Sequence, residues 1–121
     1  MSLIETTTLA AYLFDRESAL ARVGDDEVLL AELVKIFLDD YPNSVREIQE
    51  AVAQGNPKLL ERAAHSLKGA VANFGAEDVV KEAFELERMG RTGNLSHANG
   101  NLQRLCQVLH QLEHELRPLA N

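Results

Sequence analysis

The sequence has one cysteine, fewer cations than acids, and no long apolar run. With Cys106 alone no internal disulfide can form, which fits a reducing compartment. Lys and Arg number 12 against 19 Asp and Glu, for a net charge of -7. A nucleic-acid binder needs a basic face to neutralise phosphates, so this balance argues against one. It argues equally against docking to an anionic membrane. No stretch approaches the roughly 20 apolar residues that span a bilayer. The start, Met1-Ser2-Leu3-Ile4-Glu5, has neither the basic nor the apolar segment of a secretory signal. A cytoplasmic location is expected. Internal repeats, low-complexity segments, Gly-rich phosphate loops and Ser/His/Asp arrangements are also missing.

What is present reads as one helical domain over residues 1–121. The chain has 121 residues, 45% of them hydrophobic and 26% charged, enough to bury a core. Almost no stretch alternates apolar and polar residues as a half-buried strand would, and the apolar spacing is helical. A short helix is predicted over Leu9 to Phe14. A second is predicted from a cap at Asp15 to Val23, ended by Gly24. Asp25 and Asp26 open a long helix with Leu29, Leu33, Ile36, Phe37, Val45, Ile48 and Val52 inward. Pro42 predicts a kink or break in it near Tyr41. Gly55-Asn56-Pro57 stops it and starts the next, which runs to about Asn73.

Glu77 and Asp78 open a further helix with Val79, Val80, Ala83, Leu86 and Met89 inside. Gly90 to Gly93 reads as a loop. Asn94 or Ser96 is the expected cap of the last helix, where Leu102, Leu105, Leu109, Leu112 and Leu116 form a bundle-type stripe. The expected architecture is all-α: an antiparallel four-helix bundle with one or two short N-terminal helices.

One helix points to chemistry. At about 100° per residue, Leu60, Ala63, Ala64, Leu67, Ala70, Val71 and Phe74 fall within about 60° of Leu67. That is a core stripe. His65 falls about 160° away and faces out. Glu61, Arg62, Lys68, Gly69 and Ala72 share the outer face with it. A mid-helix Gly costs about 1 kcal/mol relative to Ala, so Gly69 suggests that another molecule approaches the backbone there. A neutral imidazole is a good nucleophile, and the ordinary imidazole pKa near 6.5 keeps the ring largely neutral in the cytoplasm. A nearby cation such as Lys68 offsets the charge of a phosphoryl group in transfer. Nothing in the sequence supplies a metal cage, a phosphate cradle or a base, so a partner must bring the catalytic parts.

His65-Ser66-Leu67-Lys68-Gly69 resembles the signature of the histidine-containing phosphotransfer family: His, two variable residues, Lys and Gly. Asn73-Phe74-Gly75-Ala76 is similar to the family's continuation. The resemblance extends to Phe14-Asp15-Arg16-Glu17, Phe37-Leu38-Asp39-Asp40 and Leu86-Glu87, so it covers roughly residues 12 to 117. Ala72 departs from it, since many members carry Gly or Ser there.

The resemblance implies that His65 takes a phosphoryl group on Nε2 and exchanges it with an aspartate of a receiver domain. The partner would be a response regulator or a hybrid sensor histidine kinase, in which case the chain could equally be the cytoplasmic part of a membrane-bound kinase. It implies that Lys68 steadies the phosphoryl group and Gly69 leaves space, with Ala72, Glu61 and Arg62 as further docking candidates. The receiver would supply Mg2+. The chain itself would be a monomeric phosphocarrier with no cofactor, no metal and no catalytic activity of its own.

Two other functions fit parts of the pattern. A histidine-kinase dimerisation helix pair also displays an exposed His, but needs a separate ATP-binding domain for which this chain has no motifs. A helical adaptor would use the Gly69-Ala72 patch only to dock. His110-Gln111-Leu112-Glu113-His114 matches an inverted zinc-protease string, yet it lacks a further ligand and a cleft, so it reads as a solvated helix face. Asp39-Asp40 reads the same way, Cys106 as a small core residue, and His97 carries no role.

Overall fold

The computed structural model describes residues 12–120. It is a bundle of five helices: α1 (Arg16–Arg22), α2 (Glu27–Gln54), α3 (Pro57–Ala72), α4 (Glu77–Thr92) and α5 (Ala98–Leu116). A 3-10 turn, Arg117–Ala120, ends the described chain. Each long helix packs on the next, and α5 closes the ring against α2. One continuous core runs through it, from Ala19 on α1 to Leu116 on α5.

The caps explain most boundaries. Asp15, Asp26 and Asn56 accept from the amides of Ser18, Leu29 and Leu59 at 3.0, 3.0 and 3.2 Å. Gly55 ends α2 in the left-handed region, at φ 62°. Pro57 follows at the start of α3, where its missing N–H has no helical partner to lose.

Several expectations are corrected. Tyr12 to Phe14 is not helical, and Leu9 to Ala11 lies outside the described residues. The amides of Leu13 and Phe14 donate instead to the Glu115 carboxylate on α5, at 2.9 and 2.8 Å. Asp15 N donates to Phe74 O at 3.1 Å, so this segment is strapped across the end of α3. Pro42 does not break α2, which is continuous from Glu27 to Gln54. Its ring is exposed, while the preceding Tyr41 stacks on Phe37 at 5.3 Å and donates to Glu113, holding the helix on its inner side.

The first half of α2 is also rotated from its expected phase. Leu30, Val34 and Phe37 are buried, whereas Leu29 and Ile36 are 40% and 56% exposed. Apolar residues occupy 28–30 in succession, so periodicity allowed two adjacent faces and packing chose one. At the start of α5, Asn94 accepts from Ser96 within the preceding turn, and neither residue caps the helix; His97 holds that place without a side-chain bond.

The most consequential correction is Gly90, which is helical and buried and not part of a loop. A Cβ on Gly90 would stand 2.5 Å from Glu61 N and 2.6 Å from Pro57 O. Nothing larger than hydrogen fits there, so α4 lies backbone to backbone against the first turns of α3. From that point the two helices run antiparallel in a set register. Glu87 meets His65, Phe84 meets Lys68, and Val80 shares a groove with Ala72.

Candidate functional site

His65 stands where the helical spacing of α3 predicts. Leu60, Ala63, Ala64, Leu67, Val71 and Phe74 are buried, with Ala70 half-buried at the stripe's edge. The His65 side chain, on the opposite face, is 67% exposed. Phe74 anchors the inner face within an aromatic row: its ring lies 5.3 Å from Phe37 and 6.5 Å from Phe14.

The outer face is organised by a residue from the next helix. Glu87 projects from α4 with its side chain only 4% exposed. Its Oε2 lies 3.2 Å from Nδ1 of His65 and 2.7 Å from Nη2 of Arg91. Its Oε1 lies 2.8 Å from Nζ of Lys68. The Lys68 contact is an ion pair and not an aligned hydrogen bond, since Oε1 is buried without a well-directed donor. Lys68 also lies over the Phe84 ring, 5.1 Å from its centroid. Arg91 reaches back to Glu61 on α3, 3.3 Å from Nε to Oε2. One buried carboxylate is thus matched by an imidazole and two cations.

Burial by itself pushes the Glu87 carboxyl up. The ion pair with Lys68 and the bond from His65 outweigh it and hold the group below its usual range. A carboxyl with a lowered folded-state pKa adds stability above the ordinary value of about 4.3, and that stability is lost as pH falls through the folded value. The melting-temperature gap between wild type and Glu87→Gln is therefore expected to be widest above about pH 5 and to shrink on acidification. Thermal melts of both proteins between neutral and acid pH check this. A gap that grows in acid overturns the assignment.

The other predicted residues divide. Gly69 is exposed, and a Cβ on it would meet nothing within 4 Å, so the space beside His65 is open. Ala72 is half-buried, at the edge of a groove shared with Val80, Lys81 and Arg22. Glu61 is engaged by Arg91. Arg62 points away from the Glu87 cluster, into a shallow depression with Glu47, Glu50 and Ser66. His110 and His114 are exposed and gain no third ligand: among the described residues, no three metal-binding side chains gather. Asp39 and Asp40 are solvated. Cys106 is half-buried, and burial pushes its thiol up, away from the reactive thiolate.

Glu87 and Arg91 were not among the expected site residues. A signal for Glu87 existed: it sits four residues after the buried Ala83, next to Leu86, on the inward side of α4. A charged residue at a core-facing position calls for a buried partner.

The fold and site together define a small helical bundle that displays an exposed imidazole beside a lysine and an open helix turn. The sequence model of the Hpt domain family matches residues 32–117. The phosphorelay protein LuxU of Vibrio harveyi is 25% identical over 107 residues, which is 87% of this chain and 90% of that protein. LuxU of Vibrio cholerae serotype O1 is 24% identical over 89 residues, or 74% and 77% of the two chains. The crystal structure of histidine-containing phosphotransfer protein B from Pseudomonas aeruginosa PAO1 superposes with a TM-score of 0.82. It covers 89% of this chain and 94% of its own at 23% identity, a likeness of fold.

The chain belongs to the Hpt domain family. It is a histidine phosphotransfer domain of two-component phosphorelays, a phosphocarrier that works with receiver domains or kinases. No described helix is long and apolar enough to cross a membrane.

Proposed function

We propose that His65 is the phosphoacceptor of this carrier. One observation carries the reading: an imidazole 67% exposed on α3 stands beside Lys68, with open space over the next turn at Gly69. Nε2 attacks the phosphorus of a receiver's aspartyl phosphate. The N–P bond forms as the P–O bond breaks, and the electron pair returns to the aspartate carboxylate. Lys68 steadies the phosphoryl oxygens. Gly69 and Ala72 admit the receiver, with Glu61 and Arg62 on the rim of the contact. Mg2+ belongs to the receiver.

On this reading the chain is monomeric, needs no cofactor and has no catalytic activity of its own. It acts in the cytoplasm, free or as the cytoplasmic part of a membrane-bound hybrid kinase, without contact to nucleic acid or membrane.

The test is transfer of labelled phosphate from a panel of phosphorylated receivers in the presence of Mg2+. Acid-labile, base-stable label on the chain is the expected result. Failure with several receivers while the chain is folded would favour a docking adaptor.

Gly69 supplies a second test. Gly69→Ala is expected to stabilise the fold by up to about 1 kcal/mol, since helix propensity improves and nothing is struck. Gly69→Arg should leave the melting temperature nearly unchanged and slow transfer at low receiver concentration more than at saturation. Equal transfer by Gly69→Arg and wild type at every receiver concentration would remove Gly69 from the docking surface.

A further inference from the structure

We infer that the start of α5 is a second binding site, for a phosphate-type oxyanion, formed by the main-chain amides of Asn99 and Gly100, the side-chain amide of Asn101 and the guanidinium of Arg104. It lies on the seam between α4 and α5. No residue of α3 lines it, so it is separate from the His65 face.

The first donors are backbone. A helix start leaves its leading N–H groups without helical partners, and they need an acceptor from elsewhere. Asp15, Asp26 and Asn56 supply one at α1, α2 and α3. The 19-residue α5 has no side-chain cap and no acidic residue in its first turn. The Ala98 amide turns back to Leu95 O at 3.1 Å, and that of Asn101 to His97 O at 3.2 Å. Between them, the amides of Asn99 and Gly100 find no acceptor among the described residues.

A buried side chain points to a ligand independently. Asn101 is only 6% exposed, yet its amide has no hydrogen-bond partner among the described residues. A buried polar group without a partner is costly. This one is not sealed in the core: it opens on a depression shared with Arg88, Ser96, His97, Gly100 and Arg104.

Charge at the depression favours an anion. Arg104 folds back over the helix start, and a Cβ on Gly100 would stand 3.9 Å from its Nη1. Its Nε is 3.6 Å from Glu82, which leaves the outer edge of the guanidinium for a ligand. Glu85 is the one acid in the lining, and Arg88 neutralises it through Nε and Nη2 at 3.1 and 2.9 Å. The positive end of the α5 dipole adds to these cations.

The donors are spread around the helix start and do not lie in one plane. A tetrahedral group with three free oxygens can meet the two backbone amides, the Asn101 amide and the guanidinium together, whereas a planar carboxylate offers only two oxygens. The depression is open to solvent, so the oxyanion can be inorganic phosphate or the end of a phosphate monoester.

Amide nitrogen-15 spectra of the chain, titrated with inorganic phosphate at constant ionic strength, test this. Saturable shifts at Asn99 and Gly100 are expected, with chloride and acetate giving much weaker ones. Arg104→Gln should weaken binding by roughly three- to tenfold, as for loss of a charged donor on an exposed surface. His97→Asp places a carboxylate at the cap, where it takes the same two amides. It should abolish the phosphate shifts and raise the melting temperature. O-phosphoserine identifies the source: tighter binding than phosphate assigns the site to a phosphorylated side chain, and equal or weaker binding to the free ion. Shifts that do not saturate, that acetate reproduces, that centre on Lys68 and Gly69, or that persist unchanged in His97→Asp overturn the site. The wild-type titration decides even if a variant fails to fold, and none of these outcomes bears on label at His65.

Discussion

His65→Gln is expected to lose all acid-labile label from a phosphorylated receiver while keeping its fold. The loss should reach background, because the substitution removes the nucleophilic nitrogen and not merely a contact. The other described histidines do not replace it: His97 opens α5, and His110 and His114 lie along that helix, none of them near Gly69. The fold should persist because His65 is on the outer face, and its partner Glu87 keeps Lys68 and Arg91. Surface changes of this kind usually move stability by about 0.5 kcal/mol, and loss of the bond to Glu87 adds roughly 1 kcal/mol. A melt within a few degrees of wild type, together with absent label, is the predicted pair of results. Label on the variant would mean that another side chain carries the phosphate.

Gly90→Ala is expected to destabilise the protein more than the same change at Gly69 stabilises it. Both glycines are helical, so the propensity gain of about 1 kcal/mol is the same for both. Their surroundings reverse the outcome. A Cβ at Gly69 meets open space, whereas at Gly90 it would stand 2.5, 2.6 and 2.8 Å from backbone atoms of Glu61 and Pro57. Backbone cannot swing aside as a flexible side chain does, so α4 must move off α3. Overpacking of this kind costs about 1–3 kcal/mol, and more for Gly90→Val. Against backbone the cost lies at the upper end of that range, and net of the propensity gain it leaves about 2 kcal/mol, a fall of roughly 5–10 °C in melting temperature for a domain of this size. The displacement should also draw Glu87 away from His65. Thermal melts of the two alanine variants decide it: a Gly90→Ala protein that melts at or above wild type would show that the helices are not in close contact there.

The aromatic row shows how local pattern and packing divide the work. Phe74 was legible as inward because it continues the stripe from Leu67 and Val71. Its contacts with Phe14 and Phe37 come from residues far away in the chain. The strap before α1 was read as helix from its own residues, yet Glu115, about a hundred positions later, takes its amides. A backbone donor has no preference between a neighbour in sequence and a carboxylate brought by folding, and the carboxylate wins through charge.

Sequence alone determined which face of α3 carries polar chemistry, because a period of 3.6 residues makes that a local property where the apolar stripe is unambiguous. It placed His65 outward, Lys68 one turn on and Gly69 beside them, and it marked the caps at Asp15 and Asn56. Tertiary structure alone decided what stands behind the imidazole. Glu87 lies 22 residues from His65, and no spacing along one helix relates the two. Their meeting depends on the register between α3 and α4, which is set where the bare backbone at Gly90 allows the closest approach. Register between helices is a property of packed surfaces, so the sequence holds its ingredients but only the assembled bundle expresses it.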